Sequence, residues 1–151
     1  MPKRLPALFA SPEASSGFLL WQAANRWQRR QREALAPLGL SHVQFVLLTA
    51  VTWLAKEDAA PITQVRLARH ARIDAMMTSQ VVRALHRKKL VRRSPHPADS
   101  RAVVLLPSAA GRKLTRQAIY VVERVDQDFF ATLGGDAARL ASMLRILLEP
   151  A

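Results

Sequence analysis

Two helical patterns meet across residues 72–74, and this short junction constrains the chain more than any other feature. TQVRLARHA, residues 63–71, carries Val65, Leu67, Ala68 and Ala71 as its expected inward side, with Thr63 as its cap. DAMMTSQVVRALHRKK follows, capped by Asp74 and ending near Lys89. Helices separated by so short a break have helix-turn-helix spacing. LVRRS and AVVLL come next, apolar or β-branched enough for two strands, with PHPADSR as turn material between them. A hairpin directly after a helix-turn-helix makes a winged helix.

The flanks are helical. Residues 13–36 place Phe18, Trp21, Ala24 and Trp27 on one stripe, and Pro37 and Gly39 end the pattern. Ser41 with Gln44 fits a capping box, and VQFVLLTAVTWLA is apolar nearly all round, the mark of a buried helix. Pro107 is expected to stop the second strand and Ser108 to cap a long helix whose apolar stripe runs from Leu114 to Leu133. Gly134-Gly135 breaks it. Asp136 is expected to cap a last helix with Leu140, Met143, Leu144 and Leu147 on its apolar face. The expected fold is therefore mainly α with a small β-hairpin. A winged helix-turn-helix lobe spans 41–107, and helices at 13–37 and 108–148 form a second lobe, within one chain of 151 residues.

Charge narrows the partner. The formal net charge is +12, and residues 62–101 hold ten Lys/Arg against two acids. A basic footprint this local points to a polyanion. No stretch reads as a membrane span, and the first residues, MPKRLPALFASPEASSG, read as a poorly ordered leader rather than a secretory signal. There are no cysteines, and no two of His42, His70, His86 and His96 sit three or four apart. A thiol switch and a helical metal pair are thereby excluded, no cofactor is expected, and a cytoplasmic location fits. No nucleophile–base pair or phosphate loop appears, so the chain does not read as an enzyme.

On a helical wheel, Met77, Thr78, Val81, Val82 and Leu85 of the second helix fall on the core side. Met76, Ser79, Gln80, Arg83 and Arg87 fall opposite, with Ala75 at the edge. Small residues admit a backbone to the major groove, while Gln and Arg offer donors and acceptors to purine edges. An ordinary solvated face would also be polar. Met76 could press on a thymine methyl or pack on a neighbouring loop. Arg101 sits where a wing reaches a minor groove, whose negative potential attracts Arg. Asp99 is expected to shape the turn by accepting from its amides. Arg72, Arg87 and Arg93 are candidate phosphate contacts. The WQRRQR run reads as a solvated face, a membrane-surface helix or a backbone contact. Trp21, Trp27, Trp53 and Phe45 read as core or as pocket lining.

Residues 62–111 resemble the MarR family of bacterial winged helix-turn-helix regulators. The most specific match is the wing: Pro97, Asp99, Arg101, the apolar run Val103 to Leu106, then Ser108 and Gly111. With the flanking helices the resemblance covers about 13–148. It implies a homodimer joined through the terminal helices and a near-palindromic duplex DNA operator. It also implies regulation, expected to be repression, relieved by a small aromatic or phenolic effector bound between the two lobes. Two positions depart from the family pattern: Lys89 and Arg72 stand where glycines are frequent, so each must take the left-handed conformation with a side chain or the helices end differently. A nonspecific architectural nucleic-acid binder is the alternative reading.

Overall fold

The computed structural model describes residues 11–57 and 59–149; most of the expected leader lies outside them. The elements run α1 (Ser16–Leu35), α2 (His42–Glu57), α3 (Gln64–Ala71), α4 (Ala75–Arg87), β1 (Val91–Pro95), β2 (Val103–Pro107), α5 (Ala109–Phe130) and α6 (Ala137–Leu148). The mainly α architecture with one antiparallel hairpin is as expected. Val91 pairs with Pro107 and Pro95 with Val103, so both prolines sit inside the strands rather than beyond them. Leu105 N–H also donates to the Ile62 carbonyl at 2.8 Å, tying β2 to the stretch before α3.

Local chemistry sets the helix starts. Ser15, Thr63, Asp74 and Ser108 each accept an amide of the first turn on a side-chain oxygen. Ser41 and Gln44 form the reciprocal box, at 3.2 and 3.3 Å. Asp136 does not cap α6: it has helical dihedrals and makes no side-chain bond, because residues 131–136 already wind as a 3-10 turn. The break before α6 is at Gly134, with φ 53° and ψ −128°.

Three helix ends share one device. Leu40 N–H reaches Leu35 O, Ile73 reaches Ala68 O and Leu90 reaches Leu85 O. In each case the residue before it is left-handed: Gly39 (φ 68°), Arg72 (φ 53°) and Lys89 (φ 59°). These are Schellman closures, which satisfy orphan carbonyls and normally use glycine. Arg72 and Lys89 adopt the same geometry with side chains attached.

The core lies between α2, α3, α4 and the hairpin and continues along α5 through Ala118 and Val122. Thr78, Val81, Val82 and Leu85 are buried as expected, but Met77, in the first turn of α4, is exposed, so spacing alone misplaced it. Val65 is likewise outward, at 67% exposure; Leu67 carries the inward side of α3. α2 is not buried all round either, since Trp53 lies in the open. On α1, Phe18 and Trp21 are exposed and Trp27 is half-buried.

A part-buried polar knot joins α1 to α5. Trp27 Nε1 and Gln31 Nε2 both donate to Asp126 Oδ1 at 2.7 Å. His42 meets Trp27 edge-on, with ring centroids 5.0 Å apart. Burial pushes the His42 imidazole below its ordinary value; the Asp126 carboxylate opposes this and Arg32 adds to it.

The start of α5 is welded to the end of α4. Ser108 Oγ donates to the Lys89 carbonyl at 2.7 Å, Ser108 N–H donates to Leu90 O at 3.0 Å, and Gly111 N–H donates to Ser108 Oγ at 2.9 Å. A Cβ on Gly111 would stand 2.1 Å from Leu90 O and 3.1 Å from its carbonyl carbon. The obstacle is backbone and cannot swing aside. Gly111→Ala is expected to lower stability by at least about 3 kcal/mol, above the usual cost of overpacking, as read from urea melts. A second expectation concerns pH. With its folded pKa below the unfolded value near 6.5, His42 contributes stability that is complete above 6.5 and lost as pH falls through its folded pKa. The urea midpoint should therefore drop on acidification from pH 7, and His42→Gln should reduce that drop.

Candidate nucleic-acid interface

α4 is held by one face and offers the other. Its core side is fixed by Val81, Val82 and Leu85 and by Thr78, whose hydroxyl donates to Asp74 O at 2.8 Å. Opposite them Gln80, Arg83 and Arg87 are exposed and Ser79 half-buried. Met76 is 73% exposed, so it packs on no neighbouring loop and stays on the outward face. Asp74 accepts Met77 N–H at 2.8 Å and holds the helix start in place.

The wing is a tied turn. His96 N–H donates to Ala102 O and Ala102 N–H to Asp99 O, each at 3.1 Å. Asp99 Oδ1 accepts Arg101 N–H at 2.9 Å, and His96 Nδ1 accepts Ala98 N–H at 3.0 Å. Asp99 thus makes the turn-amide contact expected of it, and Arg101 stands exposed beside it. On β1, Arg93 lies opposite Leu105, on the face whose Val91 and Leu105 enter the core. Arg83, Arg87, Arg93 and Arg101 form no ion pair with any described residue.

Not every cation of the basic footprint is free. The Arg72 guanidinium donates to the Leu148 carbonyl at the end of α6, so this turn residue touches the far end of the chain. Arg66 donates to Ala60 O at 2.6 Å. Lys88 points away from α4's outward face: its Nζ reaches Gly39 O at 2.5 Å and Gln44 Oε1 at 2.8 Å. It braces the end of α4 against the α1–α2 elbow, a role invisible to charge counting. The sequence marked that corner only by Gly39, read as a helix stop, and by the Ser41–Gln44 capping box. Lys89, noted above for standing at a frequent glycine, and Arg92, not singled out from the sequence, are both exposed near the wing.

Comparison with known proteins fits this geometry. The MarR family model matches residues 40–103. The chain is similar to an uncharacterized HTH-type transcriptional regulator, YdcH, of Bacillus subtilis, with 43% identity over 123 residues, 82% of this chain and 83% of that one. Among solved structures, a mutant of E. coli MarR complexed with operator DNA superposes with a TM-score of 0.79 at 25% identity, covering 96% of this chain and all of the other. Bordetella bronchiseptica BpsR, solved in a study of how 6-hydroxynicotinic acid regulates its DNA binding, superposes with a TM-score of 0.83 at 24% identity over 97% of this chain. The winged helix, the extent of identity to the Bacillus regulator and the family match establish that the chain belongs to the MarR family of transcriptional regulators.

Proposed function

We propose that the protein is a homodimeric repressor that reads a near-palindromic duplex operator with α4 and grips the flanks with its wings. The observation that carries this is the split character of α4. One face is locked into the core, while the other presents small, amide and guanidinium groups with no partner among the described residues. Ser79, Gln80 and Arg83 contact base edges, and Met76 supplies an apolar contact suited to a thymine methyl. Arg87 and Arg93 neutralise phosphates. Arg72 joins them once its guanidinium leaves the Leu148 carbonyl. Arg101 enters the minor groove, and Asp99 keeps the tip in shape.

Residues 41–107 serve as the DNA-binding lobe, and 13–37 with 108–148 as the dimerisation lobe. Exposed apolar side chains support that division: Phe18, Leu20 and Trp21 on α1, and Met143, Ile146 and Leu147 on α6. A pair of recognition helices would then address two half-sites about one helical turn apart. A small aromatic effector that releases DNA is consistent with the regulation of BpsR by 6-hydroxynicotinic acid. No single helix is long and apolar enough to cross a membrane among the described residues. A chromosomal partner places the work in the cytoplasm.

Selection of bound duplexes from a random pool tests the reading: a two-fold symmetric consensus is expected. A specificity ratio near one against unrelated duplex would favour the architectural alternative. On the selected site, Arg83→Ala should cost roughly 1–3 kcal/mol if its contact is bidentate, with little loss on unrelated DNA. Equal losses on both would remove it from base readout. Arg101→Ala should weaken operators with narrow flanking grooves more than those with wide ones. It should also lower the slope of log affinity against log salt by about 0.9 if one phosphate contact goes with it.

A further inference from the structure

Of the three left-handed helix closures, only the one at Gly39 is made without a side chain. Arg72 and Lys89 make the same turn after α3 and α4. An L side chain at positive φ crowds the neighbouring carbonyl, a strain that glycine lacks. At Arg72 the side chain has a partner inside the molecule, since its guanidinium donates to the Leu148 carbonyl. At Lys89, with φ 59°, it has none. The backbone of Lys89 is engaged: its N–H donates to His86 O at 2.9 Å, and its carbonyl accepts Ser108 Oγ at 2.7 Å. The side chain is exposed and meets no hydrogen-bond or ion-pair partner among the described residues. Nothing there offsets the strain, which directs attention to a partner outside the chain.

The neighbours of Lys89 define its place. Lys88 is turned back to Gly39 O and Gln44 Oε1. His86 Nδ1 lies 3.1 Å from Val91 O. Arg87 and Lys89 are the cations that this helix end leaves to solvent. Arg92 faces elsewhere. It pairs with Leu106 and, by strand alternation, shares a face with Ser94 and Val104. Ser94, Val104 and Leu106 line the cavity beneath the wing, whereas Val91 and Leu105 on the other face join Leu85 of α4 in the core.

The end of α4 is also where an anion needs a counter-charge. The C-terminal end of a helix carries a partial negative charge and repels phosphate. A recognition helix contacts bases with its N-terminal residues. α4 has 13 residues and is about 20 Å long at about 1.5 Å per residue. The major groove is about 12 Å wide. With Met76 to Arg83 among the bases, the far end of α4 overruns the groove and meets the sugar-phosphate strand at its edge. A bare helix end would be repelled there. A cation one step past the last turn reverses the sign of that contact.

We infer that Lys89 is a phosphate contact: its ammonium holds a backbone phosphate of duplex DNA at the groove edge where α4 leaves it. The contact rests on the proposed docking of α4 in the major groove. It carries no sequence information, because every base pair presents the same phosphate. Lysine at this left-handed position therefore trades stability of the free protein for affinity, and the two should move in opposite directions on substitution.

Fluorescence anisotropy of the full-length protein on the selected operator and on an unrelated duplex, between about 50 and about 200 mM KCl, tests this. Lys89→Gln keeps a side chain at 89 and removes the charge. It should lower the slope of log affinity against log salt by about 0.9 per protomer and weaken both duplexes by the same factor. Lys89→Arg should keep the slope. Lys89→Gly should lose the slope as Lys89→Gln does, yet melt at a higher urea concentration than Lys89→Gln. Arg92→Gln removes the same charge from the other hairpin face and should leave the slope unchanged. An unaltered slope in folded Lys89→Gln, or an equal loss in Arg92→Gln, would overturn the contact. A loss confined to the operator would make Lys89 a base reader instead. A urea midpoint for Lys89→Gly at or below that of Lys89→Gln would overturn the trade with stability. An unchanged slope leaves a symmetric operator consensus standing. A selection without such a consensus leaves the contact measurable on the unrelated duplex.

Discussion

The rest of the fold depends on the contact between Gly111 and the Leu90 carbonyl. Around it, Ser108 gathers the end of α4, the start of β1, the end of β2 and the start of α5 into one joint. The joint works because position 111 has no side chain and because one hydroxyl both donates to the Lys89 and Leu90 carbonyls, between α4 and β1, and accepts the Gly111 amide. Through it, α4, the wing and α5 are joined directly. The Ser-x-x-Gly spacing that marks the family in sequence is therefore a packing requirement rather than a contact with DNA.

Arg72 and Lys89 show a different compromise. Each closes a helix in the left-handed conformation, where an L side chain costs roughly 1–2 kcal/mol. A glycine would relieve the strain and remove a charge. At Lys89 the charge stays exposed at the end of the recognition helix. At Arg72 the guanidinium closes instead on the Leu148 carbonyl at the end of α6. The free protein thus keeps one of its proposed phosphate-binding cations occupied internally, and DNA must compete for it.

Most of the fold was legible from periodicity and caps. The Thr63, Asp74 and Ser108 caps act where expected because each depends only on neighbours within one turn. Misreadings arose where a distant packing decision intervened. Val65 and Met77 fit an apolar stripe by spacing, yet they lie at its edges, where no other element arrives to cover them. Asp136 follows a glycine break that winds into its own turn, so no amide was left for its carboxylate. For the candidate interface, the exposed row on α4 and the Asp99 turn are local and could be read in advance. The diversion of Lys88 to Gly39 and Gln44, and of Arg72 to Leu148, spans 44 to 76 residues of sequence. No spacing rule reports such pairings.

The welded start of α5 turns that helix into a lever. Its 22 residues make an arm about 33 Å long, at about 1.5 Å per residue. Ser108 and Gly111 hold the lobe end of this arm against Lys89 and Leu90 at the end of α4. A tilt of about 5° on such an arm displaces the recognition helix by about 3 Å, roughly the rise of one base pair at 3.4 Å. In the proposed dimer, the spacing between half-sites therefore depends on helix angles far from the DNA as well as on the proposed reading residues.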